Sequence, residues 1–114
     1  MTKQEVFNIV VKHLAAQNWE KSLANGSCAY RGQGGKKCAI GALLNDDDVV
    51  HECDTVFGRW FDPILERLDL GWGGRDFLDI LQSAHDLARS ADNMQVKLKD
   101  VALDFQLEWP LEAD

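Results

Sequence analysis

The sequence predicts a mostly α-helical single domain, a compact bundle of about five helices with a small two-stranded β-hairpin insertion near residues 27–39. Three observations predict it. Apolar residues recur at 3.6-residue spacing near both ends of the chain, helix-start signals precede those stretches, and glycine crowds one short segment between Cys28 and Leu44. At 114 residues the chain suits one hydrophobic core, so residues 1–114 read as one globular domain.

The first helix is expected over residues 2–17. Thr2 followed three residues later by Glu5 is a capping box, in which each side chain satisfies an amide that the helix start would otherwise leave orphaned. Val6, Phe7, Val10, Val11 and Leu14 then share one face. Residues 19–37 read as a long connection in which Ser27 to Arg31 pairs with Lys36 to Ala39 across a Gly-Gln-Gly-Gly turn. The apolar run after Cys38 reads as a short buried helix, and Asn45 to Asp48 as the start of another over about 47–52.

The Asp62-Pro63 pair starts the next helix, with proline at its first position, Ile64, Leu65 and Leu68 on its apolar face and Gly71 as its stop. A Trp-Gly-Gly loop at 72–74 leads to a helix over 75–91, whose stripe is Phe77, Leu78, Leu81, Ala84 and Ala88. Asp92 and Asn93 break it and cap the last helix, over 94–107, where Met94, Leu98, Val101, Ala102 and Phe105 recur at helical spacing, followed by Trp109.

Composition bounds function. The chain is 46% hydrophobic and 27% charged, as folded proteins are. No apolar run approaches the roughly 20 residues of a membrane span, so no membrane association is expected. An odd count of three cysteines, without a secretory-type start, suits a reducing cytoplasm and free thiols. Residues 1–38 carry six Lys/Arg against two acids, and residues 39–114 carry six against 17, giving a net charge of −7. Phosphate contacts need Lys and Arg, so bare nucleic acid is an unfavourable partner and a protein with a basic surface a better one.

Several residue sets carry possible chemistry. Cys28, Cys38, Cys53 and His51 have the inventory of a zinc site but lack a paired Cys-x-x-Cys knuckle, so buried free cysteines are the better reading; no metal or cofactor is expected. Cys38, at an expected helix start behind Lys36 and Lys37, could be a nucleophile with His85 as base. Asp86 is a poor orienter for that base, since adjacent helical residues point about 100° apart. A Cys28–Cys38 disulfide is geometrically feasible but unsuited to a reducing compartment. Arg31 is expected to pin its loop by pairing with a carboxylate.

Asp46, Asp47, Asp48, Glu52 and Asp54 form a dense negative patch without the spacing of a calcium loop, and such a patch would steer a basic groove. Among the tryptophans, Trp60 and Trp109 flank apolar stripes, whereas Trp72 sits in a glycine loop and is the one expected to be exposed.

The segments C-A-Y-R-G and G-K-K-C-A-I-G-A-L, followed by F-L-D-I-L-Q-S-A-H-D, resemble a family of small phage- and prophage-type bacterial proteins with C-x-Y-R, C-A-[IV]-G and L-Q-x-x-H-D motifs. The matching positions are Cys28, Tyr30, Arg31, Cys38, Ala39, Gly41, Gln82, His85 and Asp86, and the likeness spans roughly residues 1–105. It implies a setting rather than an activity: a small protein that blocks a host or rival enzyme. The resulting expectation is a cytoplasmic, non-enzymatic inhibitor that offers its acidic patch and Trp72 to a nuclease, nucleic-acid-binding complex or toxin. The alternative is a cysteine-dependent hydrolase or transferase using Cys38 and His85.

Overall fold

Burial of one apolar stripe per helix sets the architecture. In a computed structural model, which describes residues 1–111, the chain runs α1 (Lys3–Ala16), β1 (Leu23–Ala24), β2 (Ser27–Cys28), α2 (Asp62–Leu68), α3 (Gly74–Asp86) and α4 (Ala91–Asp104). Short 3-10 turns lie at Gln33–Gly35, Gly41–Leu43 and Arg59–Phe61. The chain is thus mostly helical with a two-stranded antiparallel hairpin, as expected, but the described residues hold four α-helices rather than five.

Helix α1 is built as its sequence demands. The Thr2 amide donates to Glu5 Oε1 at 3.0 Å, and the Glu5 amide donates to Thr2 Oγ1 at 3.1 Å. Val6, Phe7, Val10, Val11 and Leu14 are wholly buried. Two glutamines near its ends hold irregular chain by the same reciprocal device. Gln17 donates to the Lys37 carbonyl at 2.7 Å and accepts from the Lys37 amide at 3.1 Å. Gln4 does the same with Glu108, at 3.0 and 2.8 Å. A primary amide offers a donor and an acceptor side by side, so each glutamine replaces a β-strand partner.

The hairpin departs from its expected register. Leu23 pairs with Cys28 and Ala24 with Ser27, across Asn25 (φ 53°) and Gly26 (φ 82°). An Asn-Gly pair enters the left-handed region at little cost and closes a two-residue turn whose twist matches the strands. That local closure outcompetes the longer Gly-Gln-Gly-Gly turn. The expected pairing of 27–31 with 36–39 survives as a single bridge between Arg31 and Lys37.

The expected helix over 47–52 does not form. Asp48 turns back to accept the Asn45 amide at 2.7 Å and takes both its carboxylate oxygens to Arg67 Nη1, at 2.9 and 3.0 Å. The acids there close a turn instead of capping a helix. Helix α2 starts at Asp62, so that Pro63 is its second residue and not its first, and ends at Leu68, with Asp69 behind it in the left-handed conformation at φ 51°, before Gly71 is reached. Helix α3 stops at Asp86, not near 91. Ser90 caps α4 in place of Asp92 or Asn93, its Oγ accepting the Asn93 amide at 3.0 Å.

The core gathers Phe7, Phe61, Phe77, Leu81, Met94 and Leu98, all wholly buried. Phe105 meets Phe77 edge-on with centroids 4.9 Å apart. Trp109 returns over α1 to meet Phe7 and stack on Trp19 at 6.3 Å. The turn after Cys38 packs so close that a Cβ at Gly41 would overlap the Tyr30 carbonyl oxygen.

Two substitutions test this packing. Phe77→Ala is expected to lower stability by about 3–5 kcal/mol in urea denaturation, the usual range for a buried phenylalanine. Gly41→Ala is expected to destabilise as well, because backbone rather than a flexible side chain blocks the new methyl; an unchanged midpoint would show that the backbone at Tyr30 moves away freely.

Candidate functional site

Three residues of the sequence motifs converge at the C-terminal end of α3. Cys28, His85 and Asp86 bring a thiol sulfur, an imidazole nitrogen and a carboxylate oxygen within 4.8 Å of one another. Asp86 Oδ1 lies 2.8 Å from His85 Nδ1 and 2.9 Å from Gln82 Nε2. The expectation that Asp86 cannot orient its neighbour is therefore corrected. Asp86 is the last residue of α3, and Gln82, one turn earlier, holds its carboxylate back over the helix end.

The buried imidazole is committed on both sides. Its Nε2 lies 3.0 Å from the Ser22 amide. A backbone N–H can only donate, so Nε2 is the acceptor and Nδ1 carries the proton that meets Asp86. A metal at Nδ1 would force the proton to Nε2, where two donors would face each other. The same occupancy leaves no lone pair for a thiol proton.

Neither motif cysteine is activated. Cys38 is wholly buried, its sulfur accepts the Gly41 amide at 3.3 Å, and burial pushes its thiol up to about 12 despite that bond. Burial also raises the Cys28 thiol, helped by the Asp86 carboxylate. Thiolate is the reactive form, so both sites disfavour nucleophilic chemistry. His85 bonds to Ser22 and Asp86, and the Cys38 with His85 pairing that an enzyme would need has no hydrogen bond to carry it.

The four zinc-type candidates do not assemble either. Cys28 is half-buried, Cys38 lies in the core, Cys53 is exposed, and His51 stacks on Trp60 with centroids 6.4 Å apart. Among the described residues all three cysteines are free, with no Cys28–Cys38 disulfide.

A cavity of about 330 Å³ opens beside the motif cluster, walled by Cys28, Tyr30, Glu52, Cys53, Asp79 and Asp86. Its carboxylates are largely structural. Glu52 accepts the amides of Tyr30 at 2.7 Å and Arg31 at 3.1 Å, and the Tyr30 hydroxyl donates to the Asp54 carbonyl at 2.6 Å. Arg31 reaches the carbonyls of Asn45 and Asp46, at 2.7 and 3.4 Å, where a carboxylate partner was expected. It still pins the loop.

The acidic cluster divides accordingly. Asp48 and Glu52 brace the chain, Asp54 accepts the Thr55 amide at 2.8 Å, and Asp46 and Asp47 are left exposed. Burial acts to raise the Asp48 carboxyl, but Arg67 and the Asn45 amide outweigh it and hold it below the ordinary carboxylate range. Trp72 is 98% exposed, between Gly71 (φ 76°) and Gly73 (φ 78°), while Trp19, Trp60 and Trp109 pack against the core.

Sequence reasoning missed the bracing roles of Gln4, Gln17 and Ser22, and the exposed Phe57. It also missed a larger cavity of about 560 Å³ where the exit of α1 meets the start of α4. The legible signal for that cavity was the early excess of Lys and Arg. No protein-family model, curated protein or solved structure matches this chain.

Two measurements check these assignments. In native protein treated with iodoacetamide, mass spectrometry should find the exposed Cys53 modified and the buried Cys38 protected; early modification of Cys38 would contradict its placement. The stability difference between the parent and Asp48→Asn should be full above about pH 5 and shrink as pH falls through the lowered Asp48 value, because only the ionised carboxylate gains from Arg67. A difference independent of pH would show that this ion pair contributes nothing.

Proposed function

We propose that this chain is a small acidic, non-enzymatic protein-binding protein of phage or mobile-element type. It blocks a basic, nucleic-acid-type groove on a nuclease, nucleic-acid-binding complex or toxin, and it acts in the cytoplasm. The observation that carries this reading is Trp72, a tryptophan 98% exposed on a molecule of net charge −7. Tryptophan is the residue most enriched among the anchors of protein interfaces, where it gains a large apolar contact at low entropic cost.

Its setting supports the role. Arg75 fixes the base of the Trp72 turn by donating to the Val56 carbonyl at 2.7 Å and to Asp62 at 2.8 Å. The anchor therefore stands on a held platform. Asp69 and Asp76, three residues before and four after Trp72, are exposed. Phe57, next to the residue that Arg75 grips, is 53% exposed and adds apolar surface. Asp46, Asp47 and Asp54 supply further negative charge for long-range attraction to a cationic groove. Asp48 and Glu52 are better left out of that surface, since their carboxylates are occupied internally.

The cysteine-enzyme alternative draws no support from the raised thiols or from the committed imidazole. The phage-type setting rests on the motif resemblance alone.

Affinity capture from the native host, at low and high salt, tests the reading. A bound protein with a basic surface should be lost at high salt. Trp72→Ala should weaken it by about 30-fold or more, the loss of about 2 kcal/mol expected of an anchor. Asp46→Asn with Asp47→Asn should weaken it mainly at low salt. Binding indifferent to Trp72 and to salt would overturn the proposal.

A further inference from the structure

A cavity of about 560 Å³ lies where the exit of α1 meets the start of α4, and none of the acids of the Trp72 surface lines it. Its wall combines Lys21, Lys36 and Arg89 with a single acid, Glu20, for a net of +2 on a chain whose total is −7. Such a reversal of sign is local and sharp. Lys36 is paired with Glu20 at 3.2 Å. Lys21 is held by the Asp86 carbonyl at 2.9 Å, a contact that fixes its ammonium without neutralising it. Among the described residues neither Lys21 nor Arg89 has a carboxylate partner. Two uncompensated cations therefore flank one hollow.

The rest of the wall mixes apolar and aromatic side chains with the polar Asn18, Gln33 and Ser90. Trp19, Leu23 and Met94 line it, and Trp19 is itself stacked on Trp109. Asn18 and Trp19 both sit at φ 59°, in the left-handed region that non-glycine residues enter only at a cost. Ser90, the cap of α4, also lines the hollow, and its Oγ accepts the Asn93 amide, which leaves its hydroxyl proton free to donate. A volume of about 560 Å³ lies in the range of cavities that enclose small organic ligands.

We propose that this cavity binds a phosphorylated nucleoside. Its phosphate sits between Lys21, Arg89 and the Ser90 hydroxyl, and its base lies against Trp19 and Leu23. Two cations and a hydroxyl donor select the anionic group, since charge-assisted hydrogen bonds are the strong ones. The aromatic wall selects a planar one, because a flat base can stack on an indole. The site is separate from the Trp72 surface and does not depend on the protein-binding reading.

Calorimetric titration of the full chain, with amide chemical-shift mapping, tests it. The probes are adenosine, guanosine, cytidine and uridine 5′-monophosphates, the four unphosphorylated nucleosides, and inorganic phosphate. At least one monophosphate should bind about tenfold or more tighter than both its nucleoside and phosphate, with shifts at residues 19–23, 33–36 and 88–94. Arg89→Gln, at an exposed side chain with no ion pair, should weaken that binding by about tenfold, with unchanged thermal unfolding. Lys21→Met should weaken that binding to a similar extent. Trp19→Leu should weaken the nucleotide and leave phosphate binding as it was. No shifts in those segments at millimolar nucleotide, or binding indifferent to Arg89 and Trp19, would overturn the proposal.

Discussion

One carboxylate organises the centre of this molecule. Asp86 Oδ1 accepts from Gln82 Nε2 and from His85 Nδ1, and in doing so it orients both side chains. With its amide nitrogen held, Gln82 turns its oxygen to the Ile40 amide at 3.0 Å. With its Nδ1 proton held, His85 offers Nε2 to the Ser22 amide. Two buried amides of a long irregular connection are thus satisfied by one helix end. Leaving either unpaired would cost about 1–3 kcal/mol, a large share of the stability of a small domain.

The same economy recurs throughout residues 20–61, which contain little repeating structure. Where sheet or helix would supply hydrogen bonds internally, side chains from the helices supply them here. Gln17 holds Lys37, Arg67 holds the Leu43 carbonyl at 2.9 Å, and Arg75 holds the Val56 carbonyl. Glu52 serves the opposite polarity, accepting the amides of Tyr30 and Arg31. The charged groups near the centre are bound to backbone and lend it order. This is why the motif positions read as architecture. Gln82, His85 and Asp86 fix the connection against α3, while Tyr30, Arg31, Cys38 and Gly41 contribute a bond or a close approach within the connection itself.

Function is then to be sought where the fold leaves groups unspent. Two such regions stand out, and they differ in sign. One is the Trp72 turn, with exposed Asp69 and Asp76 along the chain on either side and its base held by Arg75. The other is the cavity at the start of α4, where Lys21 and Arg89 form no ion pair among the described residues.

Helical class, the α1 capping box, the start of α2 and the apolar stripes were determined by the sequence alone, since each depends on residues within one or two turns of one another. The exposure of Trp72 was legible for the same reason: no apolar periodicity surrounds it. The Asn25-Gly26 turn is also a local signal, and its closure prevailed over that of the glycine run at 32–35. Tertiary structure decided the rest. The loss of a helix after Asn45 came from Arg67, distant along the chain, which claims Asp48. The fate of His85 likewise depended on Ser22, 63 residues away. A side chain's chemistry is set by the partners that reach it, and those that reach across the fold leave no periodic trace in the chain.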